Sequence, residues 1–123
     1  MGMYDKSCLK SELAPGRSSR KMYVDALDVV TSYKDDQQHL KLAVSISDLA
    51  GYPVFESDVE LLIDSPDGTK FSVESETNTY GIAFFDIKNV QRGRWEVIVS
   101  NVNHEDYCYD TSKQTKPWSV TFV

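Results

Sequence analysis

The stretch HLKLAVSIS, residues 39–47, alternates apolar and polar side chains and is the clearest strand pattern in the chain. Its apolar positions are Leu40, Leu42, Val44 and Ile46, and the residues between them are polar or small. Because successive side chains of a β-strand point to opposite sides, one face of this segment is predicted to be buried. The segment therefore predicts a sheet that covers a core.

Strand-like segments continue on both sides of this stretch. YVDALDVVTSY (23–33) precedes it, and VELLID (59–64), TKFSVES (69–75), YGIAFFDI (80–87), WEVIVS (95–100) and PWSVTFV (117–123) follow it. Turn residues separate these segments, most clearly Ser65-Pro66-Asp67-Gly68, where proline presets φ and glycine accepts a positive φ. No segment has a helical period. We therefore predict an all-β fold, a two-sheet antiparallel β-sandwich of about seven strands.

The length of 123 residues fits one domain with one modest core. Residues 1–21 contain SELAPGRSSRK and lack any strand or helix period, so they are predicted to be a flexible arm or linker before a sandwich at 22–123. Acidic residues outnumber basic ones, 19 to 13, and the excess lies after residue 21. An acidic body argues against nucleic acid as a partner, because phosphate binding needs clustered Lys and Arg.

The chain contains no apolar run long enough for a membrane span and no signal-peptide core near residue 1. We therefore expect no membrane insertion, and a chain that belongs to a longer protein. Its two cysteines, Cys8 and Cys108, lack the close spacing of a zinc or redox motif. They form either one disulfide or two thiols, and spacing alone leaves both alternatives open.

Four segments carry a family resemblance: VSISDLAGYPV (44–54), VELLIDSPDGT (59–69), YGIAFFDI (80–87) and GRWEVIVSNV (93–102). They resemble bacterial and archaeal immunoglobulin-like, or prealbumin-like, accessory domains. MYVDALD (22–28) and NVNHEDYCYD (101–110) are similar to the opening and closing strands of modules appended to secreted proteases and surface proteins. The resemblance implies an immunoglobulin-like sandwich outside the cell or on its surface. It also implies a spacer, stabilising or adhesive role beside a neighbouring domain or another protein.

The stretch NHEDYC, residues 103–108, concentrates ligand-type side chains: His104, Glu105, Asp106 and Cys108. A strand would disperse them over two faces, and a zinc site needs about four ligands, whereas the only other histidine, His39, is distant in sequence. We therefore predict no metal here. Tyr107 follows the strand that carries Val97 and Val99, so we expect its hydroxyl to bond backbone and His104 to bond the same loop.

The remaining candidate sites are weak. Acidic residues that could hold calcium at loop ends are Asp28, Asp48, Glu60, Asp64 and Asp67, but no D-x-D-x-D-G loop is present. A solvated acidic face is the simpler interpretation, and whether these acids bind calcium stays open. No G-x-S-x-G motif is present and neither histidine has a nucleophile beside it in sequence. We predict no catalytic residue and no cofactor.

The two tryptophans suggest a different class of function. Trp95 shares its alternation with Val97 and is predicted to be in the core, whereas Trp118 follows Pro117 at the start of the last strand and favours the sandwich edge. An exposed aromatic ring there suits a sugar face. A carbohydrate-binding module attached to a secreted hydrolase, with Trp118 at the contact, is therefore the alternative function.

Four apolar residues occupy positions opposite the predicted core faces: Leu62, Ile82, Phe84 and Ile98. Both sides of a strand are apolar only where both are covered, so these residues predict a protein contact. The cover would be the arm, a neighbouring domain or a second copy. The leading hypothesis is thus a non-enzymatic interaction module of an extracellular or cell-surface protein.

Overall fold

A computed structural model describes residues 20–113 and 118–123 of the chain. Within these residues it forms eight strands: β1 (Lys21–Lys34), β2 (Gln37–Asp48), β3 (Asp58–Asp64), β4 (Lys70–Glu76), β5 (Ile82–Ile87), β6 (Arg94–Asn103), β7 (Cys108–Tyr109) and β8 (Trp118–Phe122). A single 3-10 turn covers Thr111–Lys113. The predicted all-β, two-sheet sandwich is confirmed. The short β7 was not anticipated.

The strands of the described chain form two four-stranded sheets, in the orders β5-β2-β1-β7 and β4-β3-β6-β8. All neighbours pair antiparallel except β1 and β7, where Lys21 lies opposite Cys108 in parallel register. β1 thus begins at Lys21, and the Cys108 N–H donates to Arg20 O. Arg20 and Lys21, the last two residues of the predicted 1–21 arm, are therefore joined to the sandwich, whereas residues 1–19 of that arm lie outside the described residues.

The core consists of the side chains that the alternation placed inward. Those with almost no solvent exposure include Leu40, Leu42, Val44, Ile46, Val59, Leu61, Ile63 and Val97. Trp95 is buried with them and its indole N–H donates to Gln91 O at 2.9 Å, which confirms its predicted core position. Phe71 and Val73 are only partly buried because β4 is an edge strand.

A β-bulge in β1 changes which residues face the core. Val24 lies opposite Ile46 but Ala26 lies opposite Ser45, so Asp25 is the extra residue. Before the bulge Met22 and Val24 point inward, and after it Leu27 and Val29 pack against the core. The bulge therefore turns Val30 outward.

Hydrogen bonds hold the loops at the end of the sandwich where β2 finishes. The buried Thr77 hydroxyl donates to Val54 O at 2.7 Å and accepts the Ser57 N–H at 2.9 Å. Thr77 thus ties the β4–β5 link to the β2–β3 loop. Among the described residues, no helix has the length and apolar character that a membrane crossing requires.

Candidate functional site

The four predicted contact residues divide between the outer faces of the two sheets. Leu62 on β3 and Ile98 on β6 lie directly opposite each other and are 38% and 41% exposed. Ile82 and Phe84 lie on β5, in the other sheet, where Ile82 is half-buried and Phe84 is 61% exposed. The structure therefore makes Phe84 the most solvent-exposed member of the set.

Phe84 forms one side of an apolar groove on the outer face of the β5-β2-β1 sheet. Val30, 59% exposed, lines the same groove from β1. Between these strands lies Ala43 of β2, which is directly opposite both Phe84 and Asp28. The methyl side chain of Ala43 leaves a depression of about 480 Å³. We call this depression, with Val30, Ala43 and Phe84 as its apolar part, the Phe84 groove.

Charged residues border the Phe84 groove. Asp28, Lys41 and Asp86 line it, and Lys41 lies opposite both Val30 and Asp86 in the ladder. The His39 ring contacts the Asp86 carboxylate, with 3.0 Å between Nδ1 and Oδ1. This hydrogen bond, with smaller contributions from Lys41 and Lys88, lowers the pKa of Asp86. The groove is therefore apolar with a polar border, as protein contact surfaces are.

Ser32, His39 and Asp86 lie on three neighbouring strands in the order of a serine hydrolase triad. Ser32 is opposite His39, and His39 bonds Asp86. However, Ser32 Oγ is fully buried and, within the described part of the chain, has no hydrogen-bond partner. A nucleophile must reach its substrate and be bonded to its base. The arrangement supports a buried His39 that fixes Asp86, and it offers no accessible nucleophile at Ser32.

His104 follows the last residue of β6 and joins the β6–β7 loop to the β2–β3 loop. The Asp106 N–H donates to His104 Nδ1 at 2.9 Å, so Nδ1 is the acceptor and Nε2 carries the proton. Nε2 then donates to Phe55 O, 3.0 Å away. Both ring nitrogens are thus bonded to backbone groups, and no group of three metal-ligating side chains occurs among the described residues. The geometry supports the structural role predicted for His104.

Tyr107 has a different set of contacts from those predicted. It is half-buried against the core, its ring meets His104 edge-on with centroids 4.9 Å apart, and the Arg20 guanidinium lies 4.7 Å from its centroid. Its hydroxyl has no hydrogen-bond partner among the residues that the structure describes. The predicted backbone bond is thus not made to any described residue and stays a prediction, while the described contacts of Tyr107 are ring packing and a cation–π contact.

The acidic residues considered for calcium have other roles. Asp48 accepts the Ala50 and Tyr52 N–H groups, and Glu60 accepts the Ser100 hydroxyl. Asp64 pairs with Lys70 at 2.7 Å, which raises the pKa of Lys70. Hydrogen bonds from Ser65 and Thr69 lower the pKa of Asp67. These contacts stabilise turns and strand edges. Asp28 borders the Phe84 groove.

Sequence reasoning missed several exposed apolar residues, which include Val30, Tyr33 and a group on two loops. Val30 was missed because the β1 bulge cannot be read from the sequence pattern. The group lies on the loops after β2 and β4: Leu49, Tyr52, Phe55 and Tyr80. These loops touch, since a Cβ at Gly81 would lie 2.8 Å from the Pro53 Cβ. The one available signal was a run of apolar residues within turn segments.

Two further predictions depend in part on side chains or residues that the structure does not describe. Trp118 begins β8, opposite Ile98, but its side chain lies outside the description, so its predicted sugar contact stays a prediction. Cys108 is disulfide-bonded, whereas Cys8 lies outside the described residues.

Compared with protein-family models, curated proteins and solved structures, the chain matches none.

Proposed function

We propose that this chain is a non-enzymatic contact module and that it binds a protein segment through the Phe84 groove. The observation that carries the proposal is the exposure of Phe84 and Val30 on two sides of one depression. Full burial of a side chain of this size stabilises a complex by about 1.5–3 kcal/mol. Leaving an aromatic residue exposed on a sheet face forgoes that stabilisation, and a partner would recover it.

The strand order supports the finer assignment to an immunoglobulin-like module. The first, second and fifth strands share one sheet, and the third, sixth and last strands share the other. In the immunoglobulin fold, strands A, B and E likewise lie opposite C, F and G. β4, beside β3, occupies the position of C′ in the variable type, whereas the constant type has its fourth strand, D, in the sheet with A, B and E. Such sandwiches host many roles, so the proposal on function depends on the groove.

The bonded state of Cys108 supports an exported protein, extracellular or at the cell surface. Disulfides persist in oxidising compartments and are rare in the cytosol. A module of this kind would hold a neighbouring domain or another protein, as a spacer, stabiliser or adhesive surface.

A carbohydrate-binding function is the second candidate, and one observation favours it. Tyr52 and Tyr80 are 67% and 76% exposed on the two loops that meet at Gly81 and Pro53. Exposed aromatic rings on adjoining loops are suited to stacking on sugar faces. This surface lies at the end of the sandwich and is separate from the Phe84 groove, so variants can distinguish the two functions.

A selection from random displayed peptides tests the leading proposal. Peptides enriched on the full chain should lose about tenfold or more in affinity, at least about 1.4 kcal/mol, when Phe84→Ser removes the ring. Ile98→Ser is the matched control, since Ile98 is exposed on the other sheet. Equal loss in both variants, or no loss in Phe84→Ser, would count against the groove.

A panel of soluble oligosaccharides tests the alternative on the same protein. The leading proposal expects no sugar to bind with a dependence on Tyr80. Binding that Tyr80→Ser abolishes and Phe84→Ser leaves intact would favour the carbohydrate-binding module.

A further inference from the structure

The free edge of β5 is defined by the hydrogen bonds at its first residue. β5 is the outermost described strand of its sheet. The Asn78 N–H donates to Ile82 O at 3.0 Å, and the Ile82 N–H donates to Asn78 Oδ1 at 3.1 Å. The carbonyl group of the preceding residue, Gly81, points toward β2, because it accepts the Ile46 N–H at 2.8 Å. The peptide groups of Ile82 therefore point away from β2.

Strand geometry extends this assignment along β5. In an antiparallel ladder, the peptide groups of successive residues alternate between the two sides of a strand. Ala83 and Phe85 therefore bond β2, while Phe84 and Asp86 direct their N–H and C=O groups to the open side. Among the described residues these outward groups have no backbone partner. Asn78 covers the first residue of the edge and leaves the next two outward positions free.

The neighbouring edge strand, β4, is protected in a way that β5 is not. β4 exposes Lys70, Glu74 and Glu76, and charged side chains on an edge discourage pairing with another chain. β5, with the sequence IAFFDI, has one charged residue, no lysine and no proline. The open edge of β5 is thus a more favourable place than the edge of β4 for a strand of another chain to pair.

We infer that β5 pairs antiparallel with β5 of a second copy of this chain, an inference that rests on the proposed contact function. With the two-fold axis beside Phe85, Phe84 of each copy lies opposite Asp86 of the other. Each such pair exchanges two N–H···O bonds. The two β5-β2-β1-β7 sheets then form one continuous sheet, with both Phe84 grooves on the same face.

The occupant is a second copy because β5 itself has the features that this edge requires of a partner. The edge needs an extended segment with free peptide groups on one side and an apolar side chain on the outer face, and Phe84 supplies that side chain. A two-fold contact uses the same surface twice, so these features are self-complementary. The two Phe84 rings are then diagonal neighbours, about 7–8 Å apart at the backbone and within reach of each other.

Sedimentation equilibrium of the full chain tests this inference. The net charge of −6 makes two copies repel, so dimer formation should strengthen when salt rises from about 10 mM to about 150 mM and the screening length falls to about 8 Å. Phe84→Glu places a carboxylate opposite Asp86 of the other copy and should yield a monomer at every concentration, whereas Ile98→Glu, the matched control on the other sheet, should remain a dimer. A wild-type chain that stays monomeric, a dimer that Phe84→Glu leaves intact, or a dimer abolished only by Ile98→Glu would overturn the inference.

Amide hydrogen exchange on the unmodified chain provides a second readout. At high protein concentration the Phe84 and Asp86 amides should exchange about tenfold or more slowly than in the dilute chain. The Ala83 and Phe85 amides, bonded to β2, should be protected at both concentrations. Unchanged exchange at Phe84 and Asp86 in a dimer would place the contact elsewhere. If the chain is monomeric but selected peptides still need Phe84, this inference fails and the proposed function stands; if neither holds, both fail.

Discussion

Gly81 and Gly68 form a matched pair for measuring how tightly β5 is positioned. Both have a positive φ, +75° and +87°, so alanine at either position adopts a strained backbone. Their surroundings differ: a Cβ at Gly68 meets nothing within 4 Å, whereas at Gly81 it would lie 2.7 Å from Ile46 O and 2.8 Å from the Pro53 Cβ. Gly81 is also the residue immediately before β5.

The expected costs follow from these distances. The left-handed backbone costs a non-glycine residue about 1–2 kcal/mol, which applies to both variants. Overpacking adds about 1–3 kcal/mol at Gly81 alone, because the obstructing Ile46 atom is backbone and cannot rotate away. Gly81→Ala should therefore lower the free energy of unfolding by about 2–5 kcal/mol, and Gly68→Ala by about 1–2 kcal/mol.

Urea unfolding of both variants and the wild type measures this difference. Equal m-values would show that the same surface is exposed on unfolding, so midpoints can be compared. The reasoning fails if Gly81→Ala is no less stable than Gly68→Ala, because the shared φ strain cancels and only the contact with Ile46 and Pro53 remains.

Three further predictions concern residues that hold the loops. Thr77→Val leaves Val54 O and the Ser57 N–H without their partner and should cost about 2–4 kcal/mol by urea unfolding, whereas the exposed Thr79→Val should change stability by less than about 0.5 kcal/mol; equal effects would contradict the Thr77 network. Tyr107→Phe should shift the free energy of unfolding by less than about 0.5 kcal/mol, because the hydroxyl has no partner among the described residues. A larger loss would show that the hydroxyl makes a stabilising hydrogen bond. The hydrogen bonds that lower the pKa of Asp67 stabilise the fold above the unfolded pKa of about 3.9, and this stabilisation is lost as pH falls through the folded pKa. Asp67→Asn should therefore be less stable than wild type at neutral pH and approach wild type in acid. A difference in stability that does not change with pH would contradict this.

The sandwich was predictable because burial of one face imposes a period of two on each strand. Leu40, Leu42 and Val44 are inward as their alternation predicts. The outward orientation of Leu62 on β3 and of Phe84 on β5 followed from the same rule, since each lies between two inward residues of its strand. Alternation fixes the orientation of a side chain relative to its own strand.

Contacts between distant segments could not be predicted in the same way. A single extra residue, Asp25, reverses the facing of everything after it in β1, and so places Val30 beside Phe84. The bond from His104 to Phe55 spans 49 residues and depends on how two loops meet. The absence of a backbone partner for Tyr107 in the described region likewise depends on loop geometry. Such features arise from tertiary packing, which a local pattern does not encode.

The most direct test of the central claim is to map where a selected peptide binds. Backbone amide shifts recorded while such a peptide is titrated into the isotope-labelled full chain locate the contact residue by residue. The account predicts that the largest changes occur at Val30, Ala43 and Phe84. Changes centred on Leu62 and Ile98, or on Tyr52 and Tyr80, would contradict it.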